Sequence, residues 1–192
     1  YTLGGAMGSK DLKQEESYNY EIGYRYLTKN WHFTANLYRR IGNNIIDWTR
    51  DCDTCILFAN NTSSANFTGG ELSLSYKLQA SGRSAYFNNI NFGFSYNQSD
   101  DIDNPPYYSV YVLDYLNYKF NLRLTQKIGE RLSLMYTLSY QQREGQFIRV
   151  GAMSPEDYDR VFLVNASAQY QLKKVRVYVR AQNIGDERYF DQ

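Results

Sequence analysis

The sequence predicts an all-β chain, an antiparallel sheet of about eight strands that forms part of a transmembrane β-barrel. Three observations predict it. Runs of alternating apolar and polar residues recur along the chain, and period-two alternation gives a strand one apolar and one polar face. The connections between those runs alternate short and long, so they sort to opposite ends of the sheet. The 192 residues include 20 Tyr, 10 Phe and 2 Trp but only 3 Pro, and Tyr and Trp rings suit a lipid–water boundary.

Residues 1–16 are Gly-rich, then charged, and read as a loop. A hairpin follows. Tyr18, Tyr20, Ile22, Tyr24 and Tyr26 oppose Asn19, Glu21, Gly23 and Arg25, and after Thr28-Lys29-Asn30 the alternation restarts at Trp31, Phe33, Ala35 and Leu37. The second arm reads on through Ile45 and Trp48, with a bulge expected at Gly42, where the parity becomes irregular. Residues 50–61 read as a long polar loop.

The third strand spans about Ala65 to Leu78, and a Gly/Ser turn leads to the fourth, which carries Ile90, Phe92, Phe94 and Tyr96. Strands five and six present Leu116 to Leu124 and Leu132 to Tyr140, joined at Gly129-Glu130. Residues 154–157 suggest a single helical turn. Strands seven and eight carry Val164 to Leu172 and Val175 to Ala181 around Lys173-Lys174.

A soluble sandwich would alternate too, but with shorter strands and unsorted loops. These arms reach about 10 residues against the roughly 5–6 usual in soluble sheets. Long loops at one end, short turns at the other and a polar interior describe an outer-membrane barrel, which places the chain in the bacterial cell outer membrane with lipid as its first partner. Glu21, Arg25, Glu71, Lys77, Lys119, Arg123, Arg176 and Arg180 then face the lumen, because Arg or Lys on the lipid face costs about 2–4 kcal/mol near the midplane. A mean hydropathy of -0.61 without a long apolar run excludes a spanning helix but not a barrel. The net charge of +1 gives no field for nucleic acid.

Cys52 and Cys55 sit two residues apart in DCDTC, which reads as a loop disulfide, with free thiols or a metal as alternatives. With one His and scattered acids there is no catalytic constellation, so no enzyme and no resident cofactor or catalytic metal is expected. Asp100, Asp101 and Asp103 have the hard oxygens for a loop Ca²⁺, but a solvated acidic loop is the preferred reading. An outer-membrane barrel enzyme or an adhesion barrel is the alternative of another class.

Four segments in order resemble TonB-dependent outer-membrane receptors. Leu12-Lys13-Gln14-Glu15 with Asn19-Tyr20-Glu21-Ile22-Gly23-Tyr24 is similar to the family's "LkpE…nyElGy" segment, with Gln14 in the usual Pro position. Tyr38-Arg39-Arg40 through Asn44-Ile45-Ile46-Asp47 resembles the strand after it. Asn66 with Gly70-Glu71 resembles "N…GvE", and Asn183-Ile184-Gly185-Asp186-Glu187-Arg188-Tyr189 resembles "NlfDerY". The resemblance implies a 22-stranded barrel around an N-terminal plug, energised through TonB. Residues 1–192 would be its C-terminal barrel portion, with the plug, the TonB box and the final closing strand absent, and would not close a barrel alone.

Ile45-Ile46-Asp47-Trp48 and Val112-Leu113-Asp114 resemble vitamin B12 receptors, so a corrinoid is the first ligand expected, with a ferric siderophore or haem as the alternative iron-chelate reading. Tyr107, Tyr108, Phe147, Arg149 and Tyr158 are candidate ligand-binding residues in the outer loops, offering aromatic faces and donors. The plain alternative is that they are ordinary loop or girdle side chains. TonB, reached through the plug, and a surface lipoprotein complete the expected partners.

Overall fold

Eight long strands follow the alternating runs: β1 Glu16–Leu27, β2 Trp31–Asn43, β3 Ser64–Lys77, β4 Asn89–Ser99, β5 Tyr115–Ile128, β6 Leu132–Glu144, β7 Val161–Leu172 and β8 Val175–Ala181. The computed structural model describes residues 2–3, 6–52, 55–61, 64–78, 87–100, 108–109, 114–147 and 156–189. Each strand pairs antiparallel with its neighbours in sequence, giving a single meander from β1 to β8. Among the described residues there is no helix.

Register turns eight separate alternations into two continuous faces. Tyr24, Ala35, Leu72, Phe94, Phe120, Tyr140 and Phe162 are successive partners across β1 to β7. One position along, Gly23, Asn36, Glu71, Ser95, Lys119 and Gln141 make the corresponding polar row. All eight charges expected in the lumen share that polar face. A one-residue slip anywhere would mix the faces, so the sequence specifies this register strongly.

The apolar face is largely exposed, with Ile22 at 73% and Val179 at 69%. Water would not tolerate a surface of this kind, whereas lipid does. Trp31 stacks on Tyr76 with centroids 4.1 Å apart beside the first short turn, and Tyr24 packs near Phe33 at 6.2 Å. At the other end of the same face Tyr96 lies 4.9 Å from Tyr118. Aromatic rings therefore flank an aliphatic and phenylalanine middle, as a lipid-facing wall requires.

The connections sort by end. Residues 28–30, 129–131 and 173–174 turn tightly, with Gly129 and Lys173 at φ of 62° and 38°. Residues 78–88 make a longer connection at that same end, and residues 44–63, 100–114 and 145–160 connect at the opposite end.

Five sequence expectations are corrected. No bulge occurs at Gly42, which pairs in register with Ser17 and Ala65. Asn44, at φ 53°, turns the chain out of the sheet after Asn43, and Ile46–Arg50 starts a second sheet. The bulge lies instead at Asn117, because Leu116 pairs with Arg143 while Tyr118 pairs with Gln142. Residues 50–61 are not all loop, since Leu57–Asn61 pairs with Ile46–Arg50. The stretch 1–16 likewise contains short strands, Thr2–Leu3 and Ala6–Met7, the latter parallel to Leu57–Phe58. Glu156–Asp157 pairs with Gln146–Phe147 as strand rather than starting a helical turn, since the partner strand takes its backbone bonds. Ser154 and Pro155 lie outside the described residues.

The family-like segments now have physical work. Glu15 Oε1 accepts the Ile46 N–H at 2.6 Å, and Asn61 clasps Lys13 by accepting from its N–H (2.7 Å) and donating to its C=O (3.0 Å). At the other end of the chain Asn183 brackets Glu187 in the same manner, at 3.0 and 2.9 Å, while sitting at φ 49°. Asn tolerates that backbone conformation better than other residues with a side chain. Asn183→Ala is therefore expected to lower stability by about 1–3 kcal/mol in thermal unfolding of the protein. Asn183→Gly, which relieves the strain but not the lost bonds, is expected to lose less.

Candidate ligand-binding end

A single curved sheet has little interior, and the described residues that are buried gather at the long-connection end. Asp47 and Thr49 are 0% and 4% exposed, and Ala59, Ala65, Phe147 and Val161 are each below 9%. Asp47, Thr49 and Ala59 belong to a small five-stranded sheet, residues 2–3, 6–7, 57–61, 46–50 and 108–109 in spatial order, at this end. Asn60 Nδ2 donates to Thr49 Oγ1 at 2.9 Å within it. Cys52 and Cys55 are joined in a disulfide, closing the tip of its central hairpin.

Asp114 is the centre of a second cluster. Its carboxylate accepts from Arg143 Nη1 at 2.7 Å and from the Tyr158 hydroxyl at 2.8 Å, and its side chain is 5% exposed. The Arg143 guanidinium also sits 5.4 Å from the Tyr158 ring centroid, and that ring is 5.1 Å from Phe147. A buried carboxylate is tolerated when charge-assisted bonds satisfy it, as here.

Of the expected ligand residues, the structure brings Phe147 and Tyr158 together but commits both to this cluster: Phe147 is buried, and the Tyr158 hydroxyl donates to Asp114. The backbone of Tyr108 pairs with Arg50 in the small sheet. Tyr107 and Arg149 lie outside the described residues, as do Asp101 and Asp103. Asp100 is held by Arg39, Nη1 to Oδ1 at 3.0 Å and Nη2 to Oδ2 at 2.5 Å. Arg39 has the lipid-side parity, and this bidentate pair, joined by Thr68, neutralises it at the rim. Among the described residues no three His, Cys, Asp or Glu form a metal-holding group, and no helix is long and apolar enough to cross a membrane.

The polar face adds what sequence reading missed. Tyr38 crosses over Gly69 to donate its hydroxyl to Asn97, and Asn97 Nδ2 donates to the Leu116 carbonyl at 2.9 Å. Asn19, Glu21, Tyr38, Arg40, Phe67 and Asn97 line a depression of about 420 Å³ there. A lower one of about 340 Å³ has Asn36, Glu71, Ser95, Lys119 and Asn121 in its wall. The sequence signal for Tyr38 is its place in the family-like segment that begins Tyr38-Arg39-Arg40.

Comparison with known proteins agrees with this geometry. A family model described as TonB dependent receptor-like, beta-barrel matches residues 1–184. No curated protein matches the sequence. Among solved structures, the chain is similar to a copper transporter, OprC (TM-score 0.70, 16% identity, 94% of this chain and 27% of that one). It is also similar to the FrpB iron transporter from Neisseria meningitidis (0.66, 15%, 96% and 29%) and to the siderophore receptor PirA from Acinetobacter baumannii (0.64, 19%, 95% and 29%). At such identities the likeness is one of fold, and the chain spans less than a third of each of these proteins.

Proposed function

The chain belongs to the TonB-dependent receptor β-barrel family, and from that premise we propose that it forms part of the wall of an outer-membrane receptor that imports a scarce ligand with energy supplied through TonB. The observation that carries this is the match over residues 1–184 to a sheet whose register makes one lipid-type face and one polar face. In this reading the wall supplies no chemistry. Its apolar face holds the barrel in lipid, its polar face lines the lumen against the plug, and its long-connection end meets ligand from outside. It is a transporter rather than an enzyme or an adhesion barrel.

A metal or a metal chelate is the ligand this reading favours, since similar folds include copper and iron transporters and siderophore receptors. The corrinoid expectation gains no such support. Its residues Asp47 and Asp114 are 0% and 5% exposed and serve the packing of this end, and Val112 and Leu113 lie outside the described residues. Equilibrium binding by the full receptor to copper, ferric siderophores, haem and cyanocobalamin tests the assignment. Saturable binding of a metal or iron chelate, without cyanocobalamin binding, is expected; the reverse pattern would overturn it.

A further inference from the structure

Side chains and backbone at the start of β5 bond to groups on both sides of the strand. On one side, Leu116 O accepts from Asn97 Nδ2, which belongs to the side chain that receives the Tyr38 hydroxyl, and the Tyr115 hydroxyl accepts the Ser99 N–H at 3.2 Å. The Tyr115 ring also meets Phe67 edge-on at 5.3 Å. On the other side, Asp114 binds Arg143 at the end of β6 and Tyr158 ahead of β7, and Tyr158 packs on Phe147. Between the two sides lies the bulge at Asn117. There Asn117 Nδ2 donates to Glu144 at 2.8 Å, while its Oδ1 is buried without a hydrogen-bond partner.

These bonds form one unbroken chain: Tyr38 to Asn97, Asn97 to Leu116, then along the backbone to Asp114, Arg143 and Tyr158. It runs from the wall of the upper polar-face depression, which Tyr38 and Asn97 line, to the root of the connection that follows β6. The ladder to β6 shifts register at the bulge and the ladder to β4 begins only at Tyr118, so on the β4 side this strand start is held by side chains. The Leu116 carbonyl that Asn97 holds is two residues from Asp114, and any coupling carried between them is reciprocal.

We propose that residues 114–117, the bulged start of β5, are a coupling hub that links the Tyr38–Asn97 bond to the order of the β6–β7 root. Tyr158 and Asp114 are positioning residues in this device, acting on the outer end through the backbone they fix. The inference concerns the wall itself and does not depend on which ligand the receptor takes.

The test is hydrogen exchange of the ligand-free full receptor in detergent, so that failure of the transport reading cannot be confused with failure of the hub. Asn97→Ala is expected to speed exchange of the amides at 143–147 and 156–160 by about tenfold, as losing a hydrogen bond inside one cooperative unit would. Tyr158→Phe is expected to do the same at 95–98 and 115–118. Tyr38→Phe removes only a hydroxyl and carries the same prediction as Asn97→Ala, should that variant fail to insert. A purely local brace would change exchange only on the mutated side of β5. That result in both directions would overturn the hub.

Discussion

Leu122→Lys is expected to weaken the folded receptor by about 2–4 kcal/mol, whereas Gly93→Lys leaves it within about 0.5 kcal/mol. The two positions lie on adjacent strands and opposite faces. Leu122 stands mid-strand in β5, paired with Phe92 on one side and Leu138 on the other, in the aliphatic middle of the apolar face. An ammonium there must sit in hydrocarbon or drag water and headgroups inward. Gly93 pairs with Ser73 and Asn121 on the polar face, and a Cβ built on it meets nothing within 4 Å. A lysine there extends into open space on a wall that already carries Glu71, Ser95 and Lys119. Denaturant unfolding in lipid vesicles would measure both. Equal losses would mean that the apolar face is not the lipid face, and the barrel reading would go with it.

The sheet was legible because alternation is a local property that survives in the sequence unchanged. Each of the eight runs predicts its own strand, and register follows because only one alignment keeps Tyr24, Ala35, Leu72 and Phe94 on a common face. The outer end was not legible for the opposite reason. Ile46–Arg50 and Leu57–Asn61 are strands by virtue of each other and of distant residues 6–7 and 108–109, contacts that no periodicity announces. Gly42 was misread because glycine in a disturbed pattern suggests a bulge. Its actual reason is space: an added Cβ would come within 2.8 Å of Ile45 Cδ1 and 3.0 Å of the Ala65 carbonyl. The bulge at Asn117 falls inside a pattern that reads as regular, so nothing local betrays it. The rings of Phe147 and Tyr158 suit contact with a ligand. In the structure the two rings pack on one another, a use the same chemistry serves equally well.

Gly69→Ala is expected to destabilise the wall by about 1–3 kcal/mol, although it adds a single methyl group to an edge-free strand. The added Cβ would lie 2.5 Å from both Tyr38 Cζ and its hydroxyl, and 2.6 Å from the Tyr96 carbonyl. The ring can swing away only by giving up the bond from its hydroxyl to Asn97, and the carbonyl belongs to the β3–β4 ladder and cannot move cheaply. Two costs are therefore superimposed, and Tyr38→Ala separates them. In that background the alanine at position 69 should cost less, because the ring has gone, but still more than nothing, because the carbonyl remains. An identical cost with and without Tyr38 would show that the ring does not set the requirement for glycine. A loss confined to the Tyr38 background would instead explain this glycine as room left on one strand for a tyrosine from the next, which is how the polar wall reaches Asn97 at all.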